Sequence, residues 1–225
     1  MKKTLISSAI AVSTLMALTT TTAFAGGSAN IGVGSNYIWR GVTQTGDDAA
    51  ISGGLDYDFG NGLSVGTWTS SLGGGNSYEL DLYGAYGGKV AGADYSVGLI
   101  NYRYPTVTGS VNPDAIEDFT EVNGSLGFGP VSANVAYTID SDNNDTVANS
   151  KGDIYYSLGF KKEIKSDLTV GAMVGKYDFD DKAGEDYTHY QLSLGKGDFT
   201  FAVDDNDLKG SDPRASVSWT KSFDL

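Results

Sequence analysis

Apolar residues recur at every second position along most of the chain, and no other feature of the sequence restricts its fold so strongly. Ile31, Val33, Tyr37 and Trp39 share one parity, while Asn30, Gly32, Gly34, Asn36 and Arg40 hold the other. Ile51, Leu55, Tyr57 and Phe59 likewise alternate with Ser52, Gly54, Asp56 and Asp58. A period of two sends successive side chains to opposite faces of a strand, so one face meets apolar surroundings and the other meets water or a polar interior. The same rule holds over residues 131–139, 154–160, 168–174, 190–194, 199–203 and 217–225, and less cleanly near 63–71, 78–86, 93–104 and 119–128. The total is about twelve strands.

The connections arrange those strands. Tight links at residues 60–62, 87–92, 129–130, 161–167 and 196–198 alternate strictly with longer polar ones at 42–48, 73–77, 105–118, 140–152, 178–186 and 204–213. An up-and-down meander produces this when every short turn lies at one end and every long loop at the other. The pattern predicts an all-β fold, an antiparallel up-and-down transmembrane β-barrel of about 12 strands with short periplasmic turns and longer extracellular loops. A soluble β-sandwich accounts for the alternation but not for one-sided loop lengths. Within lipid every backbone donor and acceptor needs an internal partner, so a chain without a spanning helix crosses only as a closed barrel.

Composition narrows the classes further. Glycine at 31 of 225 residues is roughly twice ordinary usage, without a collagen period, and 40% hydrophobic with 19% charged residues is not a disordered composition. The absence of cysteine removes a disulfide scaffold, a thiol nucleophile, a Cys-ligated zinc and a lipoprotein cysteine. A net charge of -13 opposes a nucleic-acid partner. Lys2 and Lys3 precede an uncharged run from Leu5 to Leu18, and Ala23-Phe24-Ala25 has the small-x-small form of a cleavage site. Residues 1–25 are therefore expected to be a secretory signal peptide and 26–225 the barrel, because the run is shorter than the ~20 residues a spanning helix needs. Cleavage removes two of 15 basic residues and no acid, leaving 13 against 28 and a net charge of -15.

Several aromatics fall at predicted strand ends. Tyr37, Trp39, Tyr57, Phe59, Tyr102, Tyr104, Tyr137, Trp219 and Phe223 suit interfacial girdles facing outer-membrane lipid. The last strand, with Trp219, Phe223 and Leu225 on one parity, suits delivery to the barrel assembly machinery, although Lys221 shares that parity.

A resemblance to a known family rests on segments that occur in order. Ser35-Asn36-Tyr37-Ile38-Trp39-Arg40-Gly41-Val42-Thr43-Gln44, Gly53-Gly54-Leu55-Asp56-Tyr57, the run through Gly66-Thr67-Trp68, Glu79-Leu80-Asp81-Leu82-Tyr83-Gly84, Tyr102-Arg103-Tyr104-Pro105 and Thr120-Glu121-Val122 are similar to the TorF-type porin family. These Gcw-type bacterial outer-membrane proteins have long been catalogued as conserved proteins of unknown function. The terminal Lys221-Ser222-Phe223 is also similar. The resemblance implies a Gram-negative outer-membrane barrel and a pore without an assigned solute.

Conventional catalytic and metal signals are weak. The single histidine, His189, stands between tyrosines without a local serine partner, which reads as an ordinary strand position and not as a hydrolase triad. Gly32-x-Gly34 and Gly127-x-Gly129 lack the further glycine of a phosphate loop. Asp140-x-Asp142-x-Asn144 begins like a calcium loop but places Lys151 where a bidentate Glu belongs. No catalytic residue, metal or cofactor is expected.

Charge on the inward parity is more informative. Arg40, Asp56, Asp58, Glu79, Asp81 and Glu121 oppose the apolar face of their own segments, and a bulge near Ile100 would turn Arg103 inward beside them. Two readings follow: a field across a constriction that favours cations, or a salt-bridged plug that fills the lumen. The acidic long loops, with Asp47, Asp48, Asp114, Asp118, Asp142, Asp145, Asp180, Asp181, Glu185, Asp186, Asp204, Asp205, Asp207 and Asp212, either gather cations and the ions that bridge lipopolysaccharide or form a solvated rim. The expected function is passive diffusion of small hydrophilic solutes or cations.

Overall fold

The computed structural model describes residues 25–73, 78–105, 118–142, 149–180 and 185–225. Twelve of the fourteen strands among them close into one antiparallel barrel. In chain order the strands are β1 (Gly26–Gly34), β2 (Ile38–Trp39), β3 (Val42–Thr43), β4 (Ala50–Asp58), β5 (Leu63–Ser71), β6 (Tyr78–Val90), β7 (Ala93–Arg103), β8 (Phe119–Phe128), β9 (Val131–Ser141), β10 (Ile154–Lys165), β11 (Leu168–Asp178), β12 (Tyr187–Lys196), β13 (Phe199–Asn206) and β14 (Arg214–Asp224). Each wall strand pairs with its neighbour in sequence, and β1 closes the ring by pairing with β4 on one side and β14 on the other. Both chain ends described lie at the short-turn end, where the Leu225 amide donates to the Gly27 carbonyl at 2.9 Å.

The wall is inside-out relative to a water-soluble protein. Ile51, Leu126, Leu158, Leu192 and Phe201 are more than half exposed on the outside, while the buried side chains inside include Glu79, Asp81, Glu121, His189 and Asp204. An apolar exterior that encircles the molecule is what contact with lipid requires. Exposed rings occur near both ends of this belt: Tyr57, Phe59, Tyr86, Phe128, Phe199 and Phe223 toward the short turns, and Tyr78, Tyr137, Tyr156 and Tyr190 toward the long loops.

The meander's alternation of short and long connections holds, with three turns tighter than expected. The β6–β7, β10–β11 and β12–β13 turns are only residues 91–92, 166–167 and 197–198, because the strands continue farther. The signal peptide expected over 1–25 lies, Ala25 apart, outside the described residues, as do Asp114, Asp145 and Asp181 of the acidic loops and Asn144 of the calcium-like motif.

One element departs from the meander. The segment read as a single strand through Trp39 leaves the wall at Gly34, and β2 and β3 pair with each other as a small hairpin instead. Its two-residue turn is Arg40-Gly41, with φ of 48° and 81°. Positive φ at both central positions is the type I′ geometry that matches the twist of a two-residue hairpin.

Candidate functional site

The first long connection folds into the barrel instead of lying over its mouth. Its tip carries Arg40, 4% exposed, which donates from both terminal nitrogens to the two Glu121 carboxylate oxygens at 2.9 and 2.7 Å. A guanidinium matches a carboxylate in this forked geometry better than an ammonium does. The same guanidinium lies 4.2 Å from the ring centroids of Trp39 and Tyr155 and 4.9 Å from that of Tyr177. Ring faces toward a desolvated cation add further attraction. An arginine at positive φ is uncommon, and a tip clamped on both charge and rings holds it there.

Further contacts anchor the hairpin around its length. Asn206 in β13 donates from Nδ2 to the Gly41 carbonyl at 2.7 Å, and the Tyr37 hydroxyl donates to Glu79 Oε1 at 2.9 Å. A side chain on Gly41 would begin 2.4 Å from His189 Cβ, so the turn is pressed against β12. Trp39 meets Tyr102, Phe119 and Tyr177 edge-on at 6.0 to 6.3 Å, within a buried, mostly aromatic apolar cluster that also includes Ile100, Tyr155 and Tyr187. At the base of the loop Arg214 binds Asp47 at 2.8 Å.

The seven charges expected at a constriction separate into groups. Arg40, Glu79, Asp81 and Glu121 do come together on the loop side of the lumen, with Arg40 arriving on the hairpin and not on a wall strand. Asp56 faces inward farther toward the turns and accepts from the Tyr83 hydroxyl at 2.6 Å. Asp58 accepts from the Gly60 amide at 2.7 Å and shapes a turn. Arg103 lies outside: β7 keeps an unbroken register with both neighbours, so Arg103 shares the outward face with Val97 and Leu99 and bonds Asn101 at 2.7 Å. The bulge expected near Ile100 is instead at Thr120/Glu121 in the β8–β9 pairing.

The aromatics divide similarly. Tyr57, Phe59, Tyr137, Trp219 and Phe223 stay on wall faces that carry the apolar belt. Tyr37, Trp39, Tyr102 and Tyr104 pack inside, because the first two travel with the hairpin and Tyr102 shares parity with inward Ser96 and Gly98. Asp204 is not a loop residue either; it points inward from β13 and accepts from Gln191 Nε2 at 2.7 Å. Residues that the parity argument passed over complete the site. Tyr155 and Tyr177, on inward positions of β10 and β11, flank Arg40, and His189 Nε2 shares a 2.9 Å hydrogen bond with the Tyr155 hydroxyl. Their signal was present in the sequence as large rings on an otherwise polar parity.

Below the hairpin the lumen changes character. Its inward positions include Asn123, Ser125, Ser132, Asn134, Ser193 and Ser216, all small, uncharged and partly exposed, with the charged Asp56 nearer the turns. At the opposite mouth, Asp153 is covered by its own loop and receives the Ser150 and Asp180 amides at 3.0 Å. Burial pushes the Asp153 carboxyl above its ordinary pKa, against the pull of those amides. Among the described residues no group of three or more His, Asp or Glu side chains is placed to hold a metal ion.

Residues 19–206, which include the hairpin, Glu121 and the wall through β13, match the bacterial proteins of unknown function called Gcw_chp. The chain belongs to the Gcw_chp family. The Gcw part of the resemblance read from the sequence thus holds. No curated protein matches the sequence significantly. Among solved structures, this Gcw_chp chain resembles one from work on the in-meso crystallization of membrane proteins, with a TM-score of 0.54 at 8% identity over 89% of this chain and 84% of the other. It also aligns with Acinetobacter baumannii OccAB2 at a TM-score of 0.45 and 12% identity over 78% of this chain, and with Pseudomonas aeruginosa OccK5 (OpdH) at 0.43 and 13% over 79%. The Gcw_chp chain spans 55% and 59% of those two.

Proposed function

We propose that this Gcw_chp barrel is a TorF-type outer-membrane porin that lets small hydrophilic solutes or ions, cations above anions, diffuse passively through a narrow lumen. The observation that carries the reading is the lumen itself: a polar vestibule leading to a narrower region where Arg40 pairs with Glu121 and the carboxylates of Glu79, Asp81 and Asp204 are also buried inside. An acidic excess in a narrow, poorly screened passage raises the local concentration of cations. Asp81 Oδ1, Thr138 Oγ1 and His189 Nδ1 are buried without a partner among the described residues. A purely structural plug would satisfy such groups. In this reading residues 1–25 direct export, the last strand engages the assembly machinery, the belt contacts lipid and lipopolysaccharide, and His189 packs the wall without catalytic work.

A second reading, a non-conducting barrel with a structural or loop-mediated binding role, is favoured by the depth at which the hairpin sits. Purified protein in planar bilayers separates the two. A porin gives stepwise conductance with cation preference, and Glu79→Gln with Asp81→Asn lowers that preference. Silence from both the native chain and a chain with residues 36–47 replaced by a short glycine linker would leave the second reading standing.

A further inference from the structure

The structure assigns to the barrel wall a binding site for guanidinium-bearing solutes, which the chain's own Arg40 fills. The wall part of this site is contributed by three strands: the Glu121 carboxylate from β8, and the Tyr155 and Tyr177 rings from β10 and β11. These groups fit a guanidinium specifically. Two carboxylate oxygens 2.9 and 2.7 Å from two nitrogens define a planar fork, and two ring faces within 5 Å cover the cation. A third tyrosine, Tyr102, donates its hydroxyl to Glu121 Oε2 at 3.3 Å and helps fix the carboxylate in place.

Arg40 reaches this site on a segment that is not part of the wall. Its backbone pairs within a hairpin of two short strands and not with the wall strands, and it stands at positive φ to present the side chain. The arrangement is that of a tethered ligand in a preformed receptor. A free solute with the same head group, such as an arginine side chain or a small alkylguanidine, competes for Glu121 when the tip withdraws, and its passage is thereby favoured over that of ammonium cations of equal charge. The transport half of this statement rests on the porin reading; the binding half does not.

The test uses the full chain in detergent and the probe methylguanidinium. Arg40→Ala empties the cage while leaving its wall intact, and Trp39, which lies against it, reports occupancy by fluorescence. Millimolar methylguanidinium should shift Trp39 emission in Arg40→Ala, bind about tenfold more tightly than methylammonium, and leave the native chain unchanged because Arg40 already occupies the site. Adding Glu121→Gln to Arg40→Ala should abolish the response. Equal binding of the two cations, or an unchanged response after Glu121→Gln, would overturn the assignment. If Arg40→Ala does not assemble, Arg40→Lys serves, since an ammonium cannot match the fork and methylguanidinium should still displace it in a Glu121-dependent way. Bilayer recordings of Arg40→Ala then isolate the porin reading: block of current by methylguanidinium supports both ideas, whereas Glu121-dependent binding to a silent barrel leaves the cage standing and removes the pore.

Discussion

The two halves of the lumen are built on opposite principles, although the same strands form both. Toward the long loops the interior is filled by a hairpin whose arginine is clamped between Glu121 and three rings. Toward the turns it is lined mainly by small serine and asparagine side chains and by glycine backbone, with Asp56 among them. A twelve-stranded ring is wider than the eight-stranded barrels that wall side chains alone nearly fill. A ring of this size leaves room inside, and here one loop occupies part of it. Stability and selectivity should therefore concentrate in the filled half, while the open half tolerates change.

The largest break in that contrast comes from removing one partner of the buried pair. Glu121→Leu leaves the guanidinium desolvated and unmatched, and should cost about 3–5 kcal/mol of barrel stability, read as a lowered temperature for loss of the compact band on unheated gels. The double variant Arg40→Met with Glu121→Leu should recover most of that loss, because replacing both ions by apolar groups of similar size removes the unpaired charge. A double variant as unstable as the single would mean that the rings and hairpin backbone, not the ion pair, set the stability of the filled half.

Next in size is the turn itself. Gly41→Ala places a methyl 2.4 Å from His189 Cβ at a φ of +81°, and should destabilise the barrel by about 1–3 kcal/mol while raising conductance as the tip is pushed off the wall. Gly46→Ala isolates the steric part, since at φ +65° its methyl meets nothing within 4 Å and only the backbone penalty of about 1 kcal/mol remains. Equal effects at the two positions would show that the tip is not pressed against β12. A third effect, smaller still, is expected from Tyr37→Phe, which removes the donor to Glu79 and should cost about 1 kcal/mol with a measurable change in cation preference.

The wall is legible in the sequence and the inward hairpin is not, for a physical reason. Alternation reports only which face of a strand an apolar side chain occupies, so it located the strands, the turns and the inward carboxylates Glu79, Asp81 and Glu121. It treats inside and outside as polar and apolar. Tyr37 and Trp39, apolar and inside, therefore fall by parity on the lipid face, and the segment that carries them reads as strand. Arg103 is the converse case: a bulge near Ile100 would turn the charge inward, whereas its unbroken parity places it outside at the rim. The cue to the inward hairpin is tyrosine on the polar parity at Tyr102, Tyr155, Tyr177 and Tyr187, rings too large for a simple water-lined wall. Which loop they receive follows from long-range contacts such as Asn206 to Gly41, and no local pattern encodes that.

The smallest stability change is expected in the open half, and it is the most direct check on the comparison. Ser125 faces inward from β8 on the same parity as Glu121 and lies beside Ser96 and Asn134 on the adjoining strands. Ser125→Lys puts a cation into a vestibule where the ammonium keeps its water, so stability should change by less than about 0.5 kcal/mol. A positive charge at that depth nevertheless repels incoming cations, and the ratio of cation to anion permeability should fall in bilayer recordings. The two readouts together discriminate between the halves. A large loss of stability would mean that the vestibule is packed as tightly as the inward hairpin, and an unchanged permeability ratio in a conducting barrel would mean that ions do not pass Ser125 at all.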